Sequence, residues 1–405
     1  MTLILSGTDN SVTAPALTGG TGGTSTGPYF PATNQWAVAI NGTQAMRVDA
    51  SQNVTLSGTL YANLPNTFGF KNRFINGAMV IDQRNAGASI TQTTSRTLPV
   101  DRWQIYGSIA SKFTAQQNAG AVTPPAGFNN YLGITSSSAY SISATDIFYT
   151  TQWIEGFNFS DMSWGTANAQ TVTLSFWVRS SLTGTFGGTL VNSAENRSYP
   201  FTYSIAVANT WEQKSITIAG DTSGTWIGAT NGVGLKLFFG LGVGSTYSGT
   251  AGAWAGALYL SATGATSVVG TNAATFYITG VQLEKGSIAT SFDYRPYGTE
   301  LFLCQRYYET LGINNAAARS FFVDIYANTT SIPSLSMLWS FSVSKRTAPT
   351  VATIGTFTTS NLSGAVGIDG TPSFDSVTIN ANPAATGRAY FFNNANSGFY
   401  ASSEF

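Results

Sequence analysis

The stretch Thr171–Ser181, TVTLSFWVRSS, does most to limit what this chain can become. Leu174, Phe176 and Val178 alternate with Thr173, Ser175, Trp177 and Arg179. A period of two places the two sets on opposite faces of a β-strand, with one face buried. Similar runs occur at Asp101–Tyr106, Phe148–Ile154, Phe201–Val207, Lys214–Ile218, Leu235–Leu241 and Phe276–Leu283. Turn-forming segments, Gly184–Gly188, Asp221–Gly224 and Gly244–Gly252, separate several of them. About eight such strands predict a two-sheet antiparallel jelly-roll sandwich. With 43 glycines and 13% aromatic residues, the chain favours short strands and turns over long helices.

The pattern divides the chain into an N-terminal segment (1–66), a central jelly roll (67–298), a linking helix (299–312) and a C-terminal β domain (313–405). The first segment carries GGTGGTSTG (Gly19–Gly27), which reads either as a tail without fixed structure or as an anchor that orders on docking. Asn41-Gly42 then marks a hairpin, because a type I′ turn needs positive φ at both central positions. Ala45–Val48 and Val54–Leu56 are its companion strands around the turn at Asp49–Asn53. So small a unit cannot bury a core alone, and it is expected to stack on copies from other subunits. After Pro296, Leu301, Cys304, Tyr308 and Leu311 recur at helical steps, with Gly312 as a stop. The remainder returns to strand patterns at Phe321–Ile325, Leu335–Val343, Thr350–Phe357, Ser376–Ile379 and Ala389–Phe392, with a turn at Asp369-Gly370.

Charge removes several function classes. Only 9% of residues are charged, and 18 basic residues balance 18 acidic ones. Nucleic acids and acidic lipids are held mainly through their phosphates, so neither partner is expected. No apolar run approaches the ~20 residues that cross a bilayer, so membrane insertion is not expected. MTLILSG lacks the basic and long apolar regions of a secretory signal. There is no histidine, which excludes imidazole-activated nucleophiles, His-ligated zinc and an imidazole pH switch. The single cysteine, Cys304, sits among apolar residues and reads as a buried, inert thiol. No cofactor and no metal are expected.

Six segments add a family resemblance. In order they are NRFINGAMVIDQR (Asn72–Arg84), VDRW (Val100–Trp103), QWIEG (Gln152–Gly156), TLSFWVR (Thr173–Arg179), GVQLEKG (Gly280–Gly286) and ELFLCQRYY (Glu300–Tyr308). Together they resemble a module of bacteriophage and prophage tail proteins that encloses a carbohydrate-binding-module-like jelly roll. NGTQAMRVD (Asn41–Asp49) resembles a repeat of phage tail fibres, and KRTAPTV (Lys345–Val351) resembles an MR-x-x-PT segment of the same proteins' C-terminal domains. The resemblance implies a homotrimeric tail fibre or receptor-binding protein. Such a protein is located on the virion, attached to other virion proteins through its N-terminal segment, and it recognises host surface polysaccharide or lipopolysaccharide.

A sugar site needs an aromatic floor flanked by polar groups. Trp153 and Glu155 share one strand face, and Trp177 and Arg179 share another. If both faces lie on one exposed sheet, they make a patch of two tryptophans, a carboxylate and a guanidinium. The other assignment of these residues is packing against a loop, with Glu155–Arg179 as a plain ion pair. Trp254, in the glycine-rich loop YSGTAGAWAGA, is a further glycan candidate; Trp103, Tyr106, Trp211 and Trp226 are other aromatics of interest. In related jelly rolls a calcium carboxylate is often found near the first strand, where Asp82 stands, with a second in the last strand. Thr279-Gly280 occupies that second place, and calcium needs more negative charge than this. No close carboxylate pair suits glycoside hydrolysis, so catalysis is not expected. Two other functions stay open: a head fibre or capsid decoration protein, and a tailspike glycosidase.

Overall fold

Alternation along the strand Val172–Ser180 sends Val172, Leu174, Phe176 and Val178 inward, where all four are fully buried. Trp177 and Arg179 stay on the outer face. This strand pairs antiparallel with Glu212–Ile218 on one side and Thr275–Lys285 on the other. Leu132–Ser136, Phe113–Gln117 and Ile90–Thr91 complete a six-stranded back sheet. The front sheet, also six-stranded, runs in the order Ser198–Ile205, Gly184–Val191, Val233–Val243, Ile147–Glu155, Trp103–Gly107, Thr97–Val100. Both sheets are antiparallel throughout. Phe176 of the back sheet meets Tyr203 and Phe239 of the front sheet edge-to-face, each at 5.0 Å. Fully burying one such ring stabilises the fold by roughly 1.5–3 kcal/mol.

This computed structural model describes residues 27–41, 43–57, 70–313, 320–327 and 335–405. The low-complexity stretch up to residue 26, and Gly42 of the hairpin, lie outside the described residues.

The sandwich therefore has more strands than the alternation predicted. Ile90–Thr91, Thr97–Val100, Phe113–Gln117 and Leu132–Ser136 are too short or too mixed to show a clean period. Gly184–Gly188, expected as a turn, instead begins an eight-residue strand, Gly184–Val191. Its glycines serve close approach: a Cβ on Gly187 would stand 2.4 Å from Ser261 Oγ and 2.8 Å from Ala262 N. Those two residues cross the outer face of the front sheet at this point.

The helix is also shorter than its periodicity suggested. It spans Tyr297–Gln305, while Tyr308–Leu311 is a strand paired with Gly398–Ser402. Sheet pairing captures Tyr308 and Leu311, and Gly312, at φ +83°, ends a strand instead of a helix. Cys304 is fully buried, and burial pushes its thiol well up.

Among the described residues the C-terminal region forms three small antiparallel sheets, each of three strands. One joins Tyr308–Leu311, Gly398–Ser402 and Thr350–Ile354; the second joins Phe322–Ala327, Gly387–Asn393 and Phe357–Ser360; the third joins Leu335–Ser340, Ser376–Ala381 and Gly367–Asp369. Their common core includes Trp339, Ile379, Phe391 and Phe399. Sandwich, helix and C-terminal sheets belong to a single unit, Phe70–Phe405.

The residues before it form a separate unit. There, Gly27–Tyr29, Trp36–Ile40, Thr43–Val48 and Val54–Leu56 make a four-stranded antiparallel sheet. Asn41 holds φ +50° at the hairpin tip. Asp49 accepts bonds from the Ser51 and Asn53 amides, both 2.9 Å, which fixes the next turn. Phe30, Ile40 and Val54 are each more than half exposed on this small sheet.

Candidate functional site

The six sequence segments, scattered over the unit, are joined to one another by hydrogen bonds. Asn72 Nδ2 donates to Val281 O at 2.9 Å, and its Oδ1 accepts from the amides of Phe74 and Leu283 at 3.0 and 3.1 Å. The opening segment is thereby tied to the strand carrying GVQLEKG, which itself pairs with TLSFWVR. Gly77 allows the approach, since a Cβ there would lie 2.2 Å from Val281 O. Gln152 clamps Ile75 by both amide ends, at 2.9 Å from the Ile75 N–H and 2.8 Å to its carbonyl. Asn76 donates to the carbonyls of Ile81 and Asp101, while Trp103 Nε1 donates to Asn76 O at 3.0 Å. The Glu300 carboxylate accepts the Asn76 amide. These buried polar groups are tolerated because they satisfy one another, although Trp153 Nε1 and Gln305 Oε1 are buried without a hydrogen-bond partner.

Ionised groups extend this clasp toward the C-terminal sheets. Arg306 binds Glu155 bidentately, at 2.7 and 2.8 Å, with the carboxylate only 1% exposed. Arg102, fully buried, donates to Trp153 O at 2.7 Å, pairs with Glu404 and lies 3.4 Å from the Tyr307 ring centroid. Arg346 of KRTAPTV donates to Ser403 O, Glu404 O and Asn231 O. Lys345 reaches Gln305 O and the Glu309 carboxylate. Asp101 is buried beside Arg84; burial outweighs the pull of that guanidinium and raises its carboxyl to about 6.

The glycan candidates do not assemble into the single patch expected of them. Trp153 and Glu155 lie on the outer face of the front sheet, and Trp177 and Arg179 on the outer face of the back sheet. The alternation correctly set each pair away from the core; it carries no information on which sheet a strand joins. Trp153 is 8% exposed, with Arg96 and Lys236 over its ring at 4.5 and 4.3 Å and Phe405 beside it. Glu155 is engaged by Arg306, not by Arg179, whose Nε donates to Asn209 O. Trp177 is partly exposed near Gly280 and Phe128.

Trp254 joins Trp164 and Trp226 in a triad of mutually edge-to-face rings, with centroids 4.8–5.5 Å apart. Each indole N–H is taken up internally, that of Trp254 by Ala219 O at 2.8 Å. The triad closes a flank of the core.

Trp103 is fully buried, and Trp211 packs on Tyr131 with its N–H donated to Thr123 O. Asp82 caps its own loop, accepting from the amides of Arg84, Asn85 and Gly87. Among the described residues no group of three acidic or cysteine side chains suits a metal ion.

An open groove of about 420 Å³ runs between the sandwich and the C-terminal sheets, lined in part by Phe157, Asn231, Arg306, Arg346 and Phe374. Phe157 and Phe374 are 56% and 51% exposed. Sequence reading missed both, because neither stands in an alternating run: one follows QWIEG in a short 3-10 turn, the other precedes a strand.

No family model matches this chain, and no curated protein matches it. Distant matches exist among solved structures. One is the enzymatically active domain of tailspike protein 4 from bacteriophage CBA120, 11% identical over 54% of this chain, with a TM-score of 0.29. This chain spans 22% of that tailspike's length. Another is a family 11 carbohydrate-binding module from Clostridium thermocellum in complex with a mixed-linked β-1,3-1,4 tetrasaccharide, 9% identical over 51% of this chain and 100% of that one, with a TM-score of 0.26. A third is a xylan-binding domain from Paenibacillus barcinonensis, 10% identical over 51% of this chain and 99% of that one, with a TM-score of 0.26.

Proposed function

We propose that this protein is a virion appendage, a tail fibre or receptor-binding protein, that recognises host surface glycans without chemical turnover. The observation carrying this reading is the clasp. Six segments that resemble phage tail proteins in order are also the segments that bond to one another, so they form one physical module. A match to one short segment has little weight; interlocking ones are a single, larger feature. The low, balanced charge of the chain suits a saccharide partner better than a nucleic acid, and the exposed apolar side chains of the small N-terminal sheet suit stacking of subunits into a homotrimer. Three copies then supply avidity to sites that are weak singly.

Three measurements test the reading together. Gold-labelled antibody to the protein, applied to intact particles, is expected at a tail appendage; label on the head instead selects the capsid decoration role. Purified protein is expected to compete with particles for adsorption to host cells and to release no reducing sugar from host polysaccharide. Absence of competition ends the receptor-binding reading, and released sugar ends the non-catalytic one.

A further inference from the structure

The groove between the sandwich and the C-terminal sheets has the chemistry of an acidic-sugar site. Its rim carries two exposed phenylalanines, each held by its own backbone: Phe157 N donates to Thr230 O at 2.9 Å, and Phe374 O accepts from Lys345 N at 2.8 Å. Exposed rings on a held backbone offer an apolar surface to the C–H face of a pyranose. Arg306 and Arg346 line the same groove. Both are immobilised, Arg306 by Glu155 and Ser344 O, Arg346 by three carbonyls.

The cations that meet an occupant are the guanidiniums of Arg306 and Arg346. Lys345 also lines the groove, but its ammonium is fully buried on Glu309 and Gln305 O. Glu155, the partner of Arg306, is 1% exposed, Arg346 bonds to three carbonyls, and the exposed Asp375 beside Phe374 is engaged by Ser344 Oγ. Asn231 and Thr230 add amide and hydroxyl groups along the wall. Planar guanidiniums match carboxylate and phosphate oxygens better than any neutral donor does.

Resting on the glycan-binding reading above, we propose that this groove binds a pyranose bearing a carboxylate or a phosphate, with its ring against Phe157 and Phe374 and its acid group facing Arg306 and Arg346. Two guanidiniums in one groove fit one acidic residue of a polysaccharide and not a nucleic-acid backbone.

The test uses the full chain on an array of bacterial capsular polysaccharides and O-antigens. Each is printed in its native form, after carboxyl reduction to the neutral sugar, and after dephosphorylation. Wild-type protein is expected to bind at least one acidic polysaccharide and to lose tenfold or more when its acid group is removed. The arm that abolishes binding identifies the group as carboxylate or phosphate. The double variant Phe157→Ala, Phe374→Ala, both on the surface, is expected to keep its melting temperature and lose tenfold or more in affinity. Binding that survives both acid removal and the double substitution overturns the groove assignment and leaves glycan recognition standing. If wild-type protein binds nothing on the array, glycan recognition itself fails.

Discussion

The guanidinium of Arg306 closes on the carboxylate of Glu155 with Nε at 2.7 Å and Nη2 at 2.8 Å, joining residues 151 positions apart. Glu155 ends a strand of the front sheet, and Arg306 follows the helix that leads to the C-terminal sheets. Since the carboxylate is almost wholly buried, losing its partner strands a charge. Arg306→Ala is expected to cost about 3–5 kcal/mol. Arg306→Lys restores only part of it, because an ammonium cannot make the two parallel bonds. Thermal and urea unfolding of both variants check this, and equal stability of alanine and lysine variants contradicts it.

Asp101 gives stability a pH dependence of unusual sign. Its carboxyl titrates at about 6 when folded, above the ordinary 3.8, chiefly because it is buried. The folded chain therefore holds this proton more tightly than the unfolded chain. The contribution is full below the ordinary value and is lost as pH rises through about 6, on the order of 3 kcal/mol in all. Asp101→Asn removes the slope. The difference in melting temperature between wild type and Asp101→Asn, followed from pH 4 to 7, is the readout. Parallel curves rule the assignment out, and with no histidine in the chain no imidazole titration complicates it.

Asn72 satisfies three backbone groups with one side chain. Asn72→Ala leaves Val281 O and the Phe74 and Leu283 amides without it, at ~1–3 kcal/mol for each group stranded. Hydrogen exchange at Leu283 is expected to accelerate more than exchange at Leu237 in the middle of the front sheet. Uniform acceleration across both sheets indicates global loosening instead of an opened clasp.

Neighbours in sequence separate the two faces of the back sheet. Phe176→Ala opens the core and is expected to cost about 3–5 kcal/mol. Trp177→Ala, one residue on and partly exposed, is expected to cost a clearly smaller amount despite removing a larger ring. Comparable losses by denaturant unfolding count against the strand's orientation.

Strand faces were legible in the sequence because alternation is a local property. Val172–Ser180 and Ile147–Glu155 have the orientations their patterns predict. Sheet membership is a long-range property, decided by hydrogen bonding between strands such as Ile147–Glu155 and Val233–Val243. That is why Trp153 and Trp177 were expected together and lie apart. Gly184–Gly188 misled for a related reason: glycine marks turns, yet here it accommodates a crossing segment that sequence does not announce. Phe157 and Phe374 gave no signal at all, since exposure on a groove rim depends on the docking of two distant parts of the chain.

The bond from the Asn72 amide to Asp293 Oδ2, 3.1 Å across 221 positions, sets the start of the sandwich next to its finish. Polypeptide arrives and departs through one doorway. Neighbouring ends are the arrangement in which a folded module sits within a longer chain with the least disturbance of its own path.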